Sequence, residues 1–288
     1  MFWTRHPSPL PKGKRQIRTL VSQYVLDPEV FAQHARGTSG ATGLADSDIV
    51  TFARERLGFA VEPSQIAFLQ SRASRGIVNC SRQWGKTTLA ALKAIFRALT
   101  VPQALVLVAA PTERQSGLLL ERVEALAAPM ELRLRGDRYN KLSLKFPNGS
   151  RIVGLPGKEG NVRGYGRVSM LIVDEAARVP DALYKALRPM LAVSRGDLWV
   201  LSTPKGRSGF FYEEFEFGGD RWERFQVTAM ECAPRITADF LEEEVASMGA
   251  AWVKQEYFCE FLNSGGEMFD RVMVEDAVDP ELAPLVFD

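Results

Sequence analysis

One short stretch of the chain contains residues whose types and order suit the binding of phosphate groups. In full it is Ile77-Val78-Asn79-Cys80-Ser81-Arg82-Gln83-Trp84-Gly85-Lys86-Thr87-Thr88, and an Ala/Leu-rich helical pattern follows at 89–96. In a strand, loop and helix of this kind, loop N–H groups and the positive end of the helix dipole wrap a β-phosphate. Lys86 is predicted to reach the β- and γ-phosphates, and the Thr87 hydroxyl is predicted to hold Mg²⁺. We therefore expect residues 81–88 to bind ATP.

The loop departs from the strict phosphate-loop pattern at one position. That pattern has glycine where this chain has Cys80, so the freedom of a first glycine to adopt positive φ is missing. A Gly-Lys-Thr turn alone occurs by chance. The prediction therefore depends on the strand before the turn, the helix after it and a second element downstream.

The second element is an apolar run at 168–173 that ends in Asp174 and Glu175. A continuous apolar run is typical of a buried parallel strand, and ligands bind at the carboxyl ends of such strands. Asp174 is then predicted to hold Mg²⁺, and Glu175 to polarise the attacking water. The alternative, a strand that ends in a solvated acidic turn, is weakened because two independent parts of one phosphate-transfer site occur together.

Two further polar groups are candidates whose alternatives stay open. Gln65 lies shortly upstream of the loop, where its two-sided amide suits an adenine edge; it is equally interpreted as a surface residue at a helix N-terminus. Ser202-Thr203-Pro204 follows an apolar run at 198–201, where hydroxyls would sense a γ-phosphate or simply begin an ordinary loop.

The elements that would position these groups alternate between strand and helix. Apolar runs at 104–110 and 198–201 predict buried strands, and helices are expected from Thr112, from Thr237 and over 250–261. An Asn-Gly turn between 142–146 and 151–155 predicts a hairpin, and 225–228 resembles an edge strand. The expected fold class is α/β, with a mostly parallel sheet flanked by helices.

Composition limits the possible classes of protein. The chain has 288 residues, of which 46% are hydrophobic and 25% charged, so disorder throughout is excluded. A net charge of +1 gives no global footprint for nucleic acid, but basic residues cluster before Asp27 and between Arg133 and Arg167. For each cluster two interpretations stay open with equal weight: a solvated surface, or a patch that faces the phosphates of a nucleic acid.

The cysteines and the hydropathy pattern exclude other kinds of site. Three cysteines lie far apart without metal-ligand spacing, and the two histidines lie near the start, so zinc and a disulfide framework are not expected. No apolar run approaches the roughly 18 residues of a membrane span, and a secretory signal pattern is missing. We expect no membrane association and a reducing cytoplasm.

Seven motifs, which follow one another along about residues 46–270, together resemble the ATPase half of the large terminase subunit of tailed bacteriophages. That family also lacks the first glycine of the phosphate loop. The motifs are 63–65, Ser81-Arg82-Gln83-Trp84-Gly85-Lys86-Thr87, 109–116, Arg163-Gly164, 173–177, Ser202-Thr203-Pro204 and 255–261.

The resemblance implies a RecA-like P-loop (ASCE) ATPase core with a small C-terminal lid. It also implies ATP hydrolysis that drives double-stranded DNA into a procapsid in the host cytoplasm. The implied partners are the portal protein, a small terminase subunit and further copies of the chain in a ring. By this resemblance Gln65 contacts adenine, residues 202–204 couple hydrolysis to movement, and Arg82 or Arg163 is the arginine finger.

The resemblance also predicts how the chain is divided. We expect a flexible basic arm at 1–45, an ATPase domain with its lid at 46–262 and a linker at 263–288. Large terminases carry a second, nuclease domain that would start where this chain stops, so nuclease activity is not expected. The competing classes are a helicase-like ATPase, which grips its strand between two such cores, and a nucleotide-binding adaptor, against which Glu175 counts.

Overall fold

The computed structural model describes residues 48–132, 134–137, 140–157 and 164–263. The predicted arm at 1–45 and the linker beyond residue 263 lie outside these ranges, so the proposed domain boundaries remain predictions. Within them, no helix is long and apolar enough to cross a membrane. The helices are α1 Ile49–Leu57, α2 Pro63–Gln70, α3 Lys86–Thr100, α4 Glu113–Ala127, α5 Asp181–Leu187, α6 Gly209–Phe217, α7 Ala238–Met248 and α8 Ala250–Glu256.

The strands form one mixed sheet in the order β3-β4-β5-β2-β6-β7-β1-β8. The six strands from β5 to β8 in this order are parallel, whereas β3 and β4 join one edge antiparallel. This arrangement confirms the predicted α/β fold with its mostly parallel sheet. The strands are β1 Arg75–Cys80, β2 Leu105–Ala109, β3 Arg135–Asp137, β4 Asn140–Lys145, β5 Arg151–Gly154, β6 Val168–Asp174, β7 Asp197–Ser202 and β8 Glu223–Val227.

Both faces of the sheet are buried, which explains the continuous apolar runs of its central strands. Successive residues of a strand point to opposite faces, and neighbours such as Leu171 and Ile172 pack into two different hydrophobic clusters. Helices α1 to α4 contribute to one cluster, and α5 and α6 to the other. Because every position in a central strand then meets a core, polar alternation disappears from the sequence.

Aromatic packing fixes α2 against the sheet beside the predicted phosphate loop. Phe68 meets Trp84 and Trp199 edge-on, with ring centroids 5.7 and 5.2 Å apart. The Trp199 ring lies over Gly76, where a Cβ atom would come within 2.0 Å of it. Only glycine therefore fits at this position of β1. The packing of Phe68 also places Gln65, on the same helix α2, beside the loop.

The predicted hairpin is confirmed by the antiparallel pairing of β4 with β5, and the predicted edge strand by the position of β8. The helix expected over 250–261 is wrong at its C-terminal end, because α8 stops at Glu256. Residues 256 to 259 are all buried, and four successive buried residues do not fit one helical stripe. The chain turns instead, and the Cys259 carbonyl accepts a hydrogen bond from Asn79 Nδ2 at 2.8 Å.

Candidate nucleotide site

The predicted phosphate loop lies at the turn between β1 and α3. Its left-handed conformations occur at Gln83, with φ of 63°, and at Gly85, with φ of 95°. Cys80 is still part of β1, with its Sγ 3.7 Å from the Ser202 carbonyl, and its φ is not positive. The missing first glycine therefore has no conformational cost here, because the turn begins after Cys80.

The loop helix brings Lys86 and Thr87 against the two carboxylates at the end of β6. Lys86 Nζ lies 2.9 Å from Glu175 Oε1, and Thr87 Oγ1 donates to Asp174 Oδ2 at 2.8 Å. The Glu175 backbone N–H also donates to Asp174 Oδ1 at 3.0 Å. The four residues predicted from two separate motifs thus form one constellation at the carboxyl edge of the sheet.

Burial and mutual attraction set the electrostatics of this constellation. Burial lowers the pKa of Lys86, but nearby Cys80, Glu175 and Asp174 outweigh it and raise the pKa above its ordinary value. Burial raises the pKa of Asp174, although Lys86 and the Thr87 hydroxyl oppose the shift. The pKa of Lys86 is raised, so its amine is held as an ammonium, and a cation at this position can contact the oxygens of a phosphate group.

The geometry around Thr87 and Asp174 fits a Mg²⁺ ion. A hydroxyl and a carboxylate oxygen converge there, and such hard oxygen ligands are those that Mg²⁺ prefers. The Asp174 side chain is held from its other oxygen by the Glu175 N–H, which orients it toward Thr87. These two side chains are therefore the residues that would hold the ion.

Three predicted nucleotide-binding residues are engaged by the protein itself. Gln65 is 2% exposed, with its Oε1 accepting from the Glu62 N–H and its Nε2 donating to the Trp84 carbonyl at 3.0 Å. Trp84 is fully buried, and its indole Nε1 donates to the Ser64 hydroxyl at 3.2 Å. Ser81 is likewise buried, and its N–H donates to the Val227 carbonyl. Gln65 supports the loop here, and its adenine contact stays a prediction.

The other loop residues lie closer to solvent. Gln83 is exposed, whereas Gly85 and Thr88 are half-buried. Gly85 directly precedes α3, and its left-handed φ turns the loop backbone into the first helical turn. These positions leave backbone N–H groups at the helix N-terminus, where an anionic group is favoured.

The predicted coupling motif contacts the turn that follows Glu175. Ser202 Oγ accepts from the Ala177 N–H at 3.1 Å, and Thr203 Oγ1 accepts from Arg178 Nη1 at 2.9 Å. Both hydroxyl residues and Pro204 are buried. The motif therefore contacts the turn after the acidic strand through Arg178 and the Ala177 N–H, contacts that the sequence did not predict.

Of the two candidate arginine fingers, only Arg82 lies within the described residues, since Arg163 falls in the undescribed segment 158–163. Arg82 Nε contacts Glu256 Oε2 at 2.8 Å, and its guanidinium lies 5.7 Å from the Trp252 ring centroid. Its charge is thus directed toward α8 in this structure. The choice between the two arginines stays open.

Two charged residues at the site were given no role by the sequence analysis, although Glu256 lies in the motif at 255–261. Arg178 contacts Glu175, Thr203 and Glu256, and Glu256 is itself 2% exposed. An arginine three positions after the acid is a weak signal, since such pairs face each other on any helical turn. No local pattern indicated the contacts of Glu256, because its partners Arg82 and Arg178 lie far away in the sequence.

An open cleft of about 510 Å³ lies beside the two carboxylates. One wall is the exposed face of α4, which the sequence analysis did not connect with the site. The lining residues are Thr87, Gln115, Leu118, Glu121, Arg122, Ala125, Asp174 and Glu175.

Comparisons with known proteins agree with this geometry. Residues 77–276 match the family model described as the N-terminal part of T4likevirus-type terminase large subunits. The terminase large subunit of Thermus virus P23-45 is 30% identical over 252 residues, covering 75% of this chain and 51% of that protein. The chain therefore spans about half the length of the curated relatives it matches.

Solved structures show the same fold. The large terminase ATPase domain of Thermus phage P74-26 is 27% identical, with a TM-score of 0.62 over 73% of this chain and 97% of that one. The large terminase of a thermophilic bacteriophage, solved in complex with ADP, has 16% identity and a TM-score of 0.59, covering 78% of this chain and 56% of that one. The predicted RecA-like core and the family resemblance are confirmed: this chain belongs to the terminase large-subunit family.

Proposed function

We propose that this chain hydrolyses ATP and that the hydrolysis moves double-stranded DNA into a viral procapsid. The observation that carries the proposal is the 2.8 Å contact between Thr87 Oγ1 and Asp174 Oδ2, beside the Lys86–Glu175 pair. A phosphate loop and an acidic strand meet there in the arrangement that phosphoryl transfer requires. The match to a solved terminase ATPase domain supports the same assignment.

The ion pair between Lys86 and Glu175 would separate during the reaction, and each side chain would take a new partner. An entering triphosphate competes for the Lys86 ammonium, which now contacts Glu175 Oε1. Once Lys86 contacts the phosphates, that carboxylate oxygen is free to polarise the attacking water. Mg²⁺ held by Thr87 and Asp174 would neutralise negative charge on the phosphate oxygens.

The remaining assignments belong to the whole packaging machine. We propose double-stranded DNA, the portal protein and a small terminase subunit as partners, in a ring of copies at the procapsid portal in the host cytoplasm. Either Arg82 or Arg163 would stabilise the transition-state charge, the latter from a neighbouring subunit. The family membership of the chain supports these proposals.

The first test replaces the proposed base. Glu175→Gln removes the charge but keeps the shape, so turnover is expected to fall roughly 100-fold or more while ATP binding stays near normal. Steady-state ATP turnover and binding of a fluorescent ATP analogue measure the two effects separately. Wild-type turnover should rise with double-stranded DNA more than with single strands.

Glu213→Gln is a suitable control, because Glu213 lies on α6 and is absent from the cleft lining. That variant should turn over ATP like the wild type. Substantial ATPase activity in Glu175→Gln would refute the base assignment. A preference for single strands would instead favour the helicase-like alternative.

A further inference from the structure

One guanidinium group joins three separate parts of the site. Arg178 Nη1 lies 3.3 Å from Glu175 Oε2 and 2.9 Å from Thr203 Oγ1, while Nη2 lies 2.9 Å from Glu256 Oε1. These acceptors belong to the acidic strand end, to the coupling motif and to α8. Arg178 therefore contacts the predicted base, the predicted coupling motif and α8 at the same time.

The buried Glu256 carboxylate accepts hydrogen bonds from two arginines. Its Oε1 accepts from Arg178 and its Oε2 from Arg82 Nε at 2.8 Å, while its backbone carbonyl accepts from the Arg82 N–H at 3.0 Å. Its side chain is only 3% exposed. A buried carboxylate is costly unless it is well paired, so this geometry is tightly specified.

The contacts of Glu175 distinguish its two oxygens. Oε1 pairs with Lys86 and Oε2 with Arg178. If Lys86 moves to phosphate groups in the proposed reaction, Oε1 would be released while Oε2 would stay attached to Arg178. The carboxylate would then keep its orientation through Arg178.

We propose that Arg178 is a positioning residue that orients Glu175 and Thr203 together, and that Glu256 sets its place from α8. This inference rests on the proposed ATP hydrolysis and adds a link between the base and α8. A displacement of α8 would then move Glu256, shift Arg178 and misplace the Glu175 carboxylate. Misplacement of a reacting group by about 1 Å costs up to roughly 100-fold in rate.

The chemistry of arginine suits this role better than that of lysine. A planar guanidinium presents five donors in a fixed fork, whereas an ammonium is a compact point charge. A lysine at 178 would keep the positive charge but would not reach Thr203, Glu175 and Glu256 simultaneously. Arg178→Lys therefore separates geometry from charge.

The experiment measures ATP turnover and ATP-analogue binding in Arg178→Lys and Glu256→Gln. We expect kcat to fall roughly 10- to 100-fold in each, with KM and analogue binding little changed. The matched control is Arg188→Lys, which alters a comparable arginine paired with Glu214 on α6, outside the cleft lining. That control should keep the wild-type kcat, and thermal melting reports whether each variant folds.

A double-substitution cycle tests the assignment even if Glu256→Gln is less stable. If Glu256 acts through Arg178, the effect of Glu256→Gln on kcat should nearly vanish in an Arg178→Lys background and persist in an Arg82→Lys background. Unchanged kcat in folded Arg178→Lys, or coupling only to Arg82, would overturn the proposal. The two possible failures are distinguishable. Absence of ATP turnover in the wild type would overturn the proposed function itself, whereas normal turnover in the wild type and in Arg178→Lys would overturn only the positioning role of Arg178.

Discussion

Two lysines on the same helix occupy opposite chemical environments. Lys86 and Lys93 are seven positions apart on α3, about two helical turns, so they share a face. Lys86 pairs with the Glu175 carboxylate at 2.9 Å and lies in the electrostatic field of Asp174. Lys93 is 6% exposed and lies between aromatic rings, with its Nζ 3.8 Å from the Trp199 centroid and 5.0 Å from that of Phe68.

The pKa values of the two amines shift in opposite directions. Neighbouring acids raise the pKa of Lys86 despite its burial, whereas burial lowers the pKa of Lys93 to about 7. The charged groups facing Lys93 are Asp197, Arg97 and Glu223, and its Nζ donates to the Ser71 carbonyl at 3.1 Å. Acid partners thus prepare one lysine for an anion, while the other is part of the packing.

Replacing Lys86 should give the largest effect of this comparison. Lys86→Met removes the cation that would contact the phosphates, so ATP affinity should fall roughly 100-fold, and turnover should be lost. Lys93→Met is the matched control on the same helix and should bind the analogue like the wild type. Equal losses in both variants would show that α3 packing, rather than the Lys86 charge, governs nucleotide binding.

Replacing Lys93 should change how stability depends on pH. Its folded pKa of about 7 lies below the unfolded value of 10.5, so the unfolded chain holds more protons between these values. The free energy of unfolding of the wild type should therefore rise by about 2 kcal/mol between pH 7 and 9, and Lys93→Met should lose this rise. Urea unfolding at both pH values measures it; a flat wild-type profile would mean that the aromatic rings keep the ammonium charged.

An exposed lysine extends the comparison to a third environment and a smaller effect. Lys145 lies on β4 in the basic segment between Arg133 and Arg167 and is exposed. If it contacts a DNA phosphate, Lys145→Gln should reduce the slope of log affinity against log salt by roughly 0.9. Lys185→Gln, on α5, is the control. An unchanged slope for Lys145→Gln would assign this lysine to the solvated surface.

The elements that the sequence predicted correctly are those marked by a pattern within a few neighbouring residues. Buried strands such as β2 and β6 appear as continuous apolar runs, and the Gly-Lys-Thr turn between strand and helix identifies the phosphate loop. The end of α8 was mispredicted because an apolar sequence near Tyr257 is compatible with either a helix or a buried extended segment. Trp84 was predicted to bind ATP; its indole packs in the core, and its contact with a nucleotide stays a prediction.

By itself, the sequence determined the fold class and predicted Lys86, Thr87, Asp174 and Glu175 as site residues, because backbone periodicity and turn chemistry act over a few residues. Only the tertiary structure decided which groups hold them in place. Arg178 and Glu256 are 78 positions apart, and Arg82 and Glu256 are 174 apart. Such pairs leave no periodic pattern in the chain, since they depend on how the sheet brings distant loops to one edge.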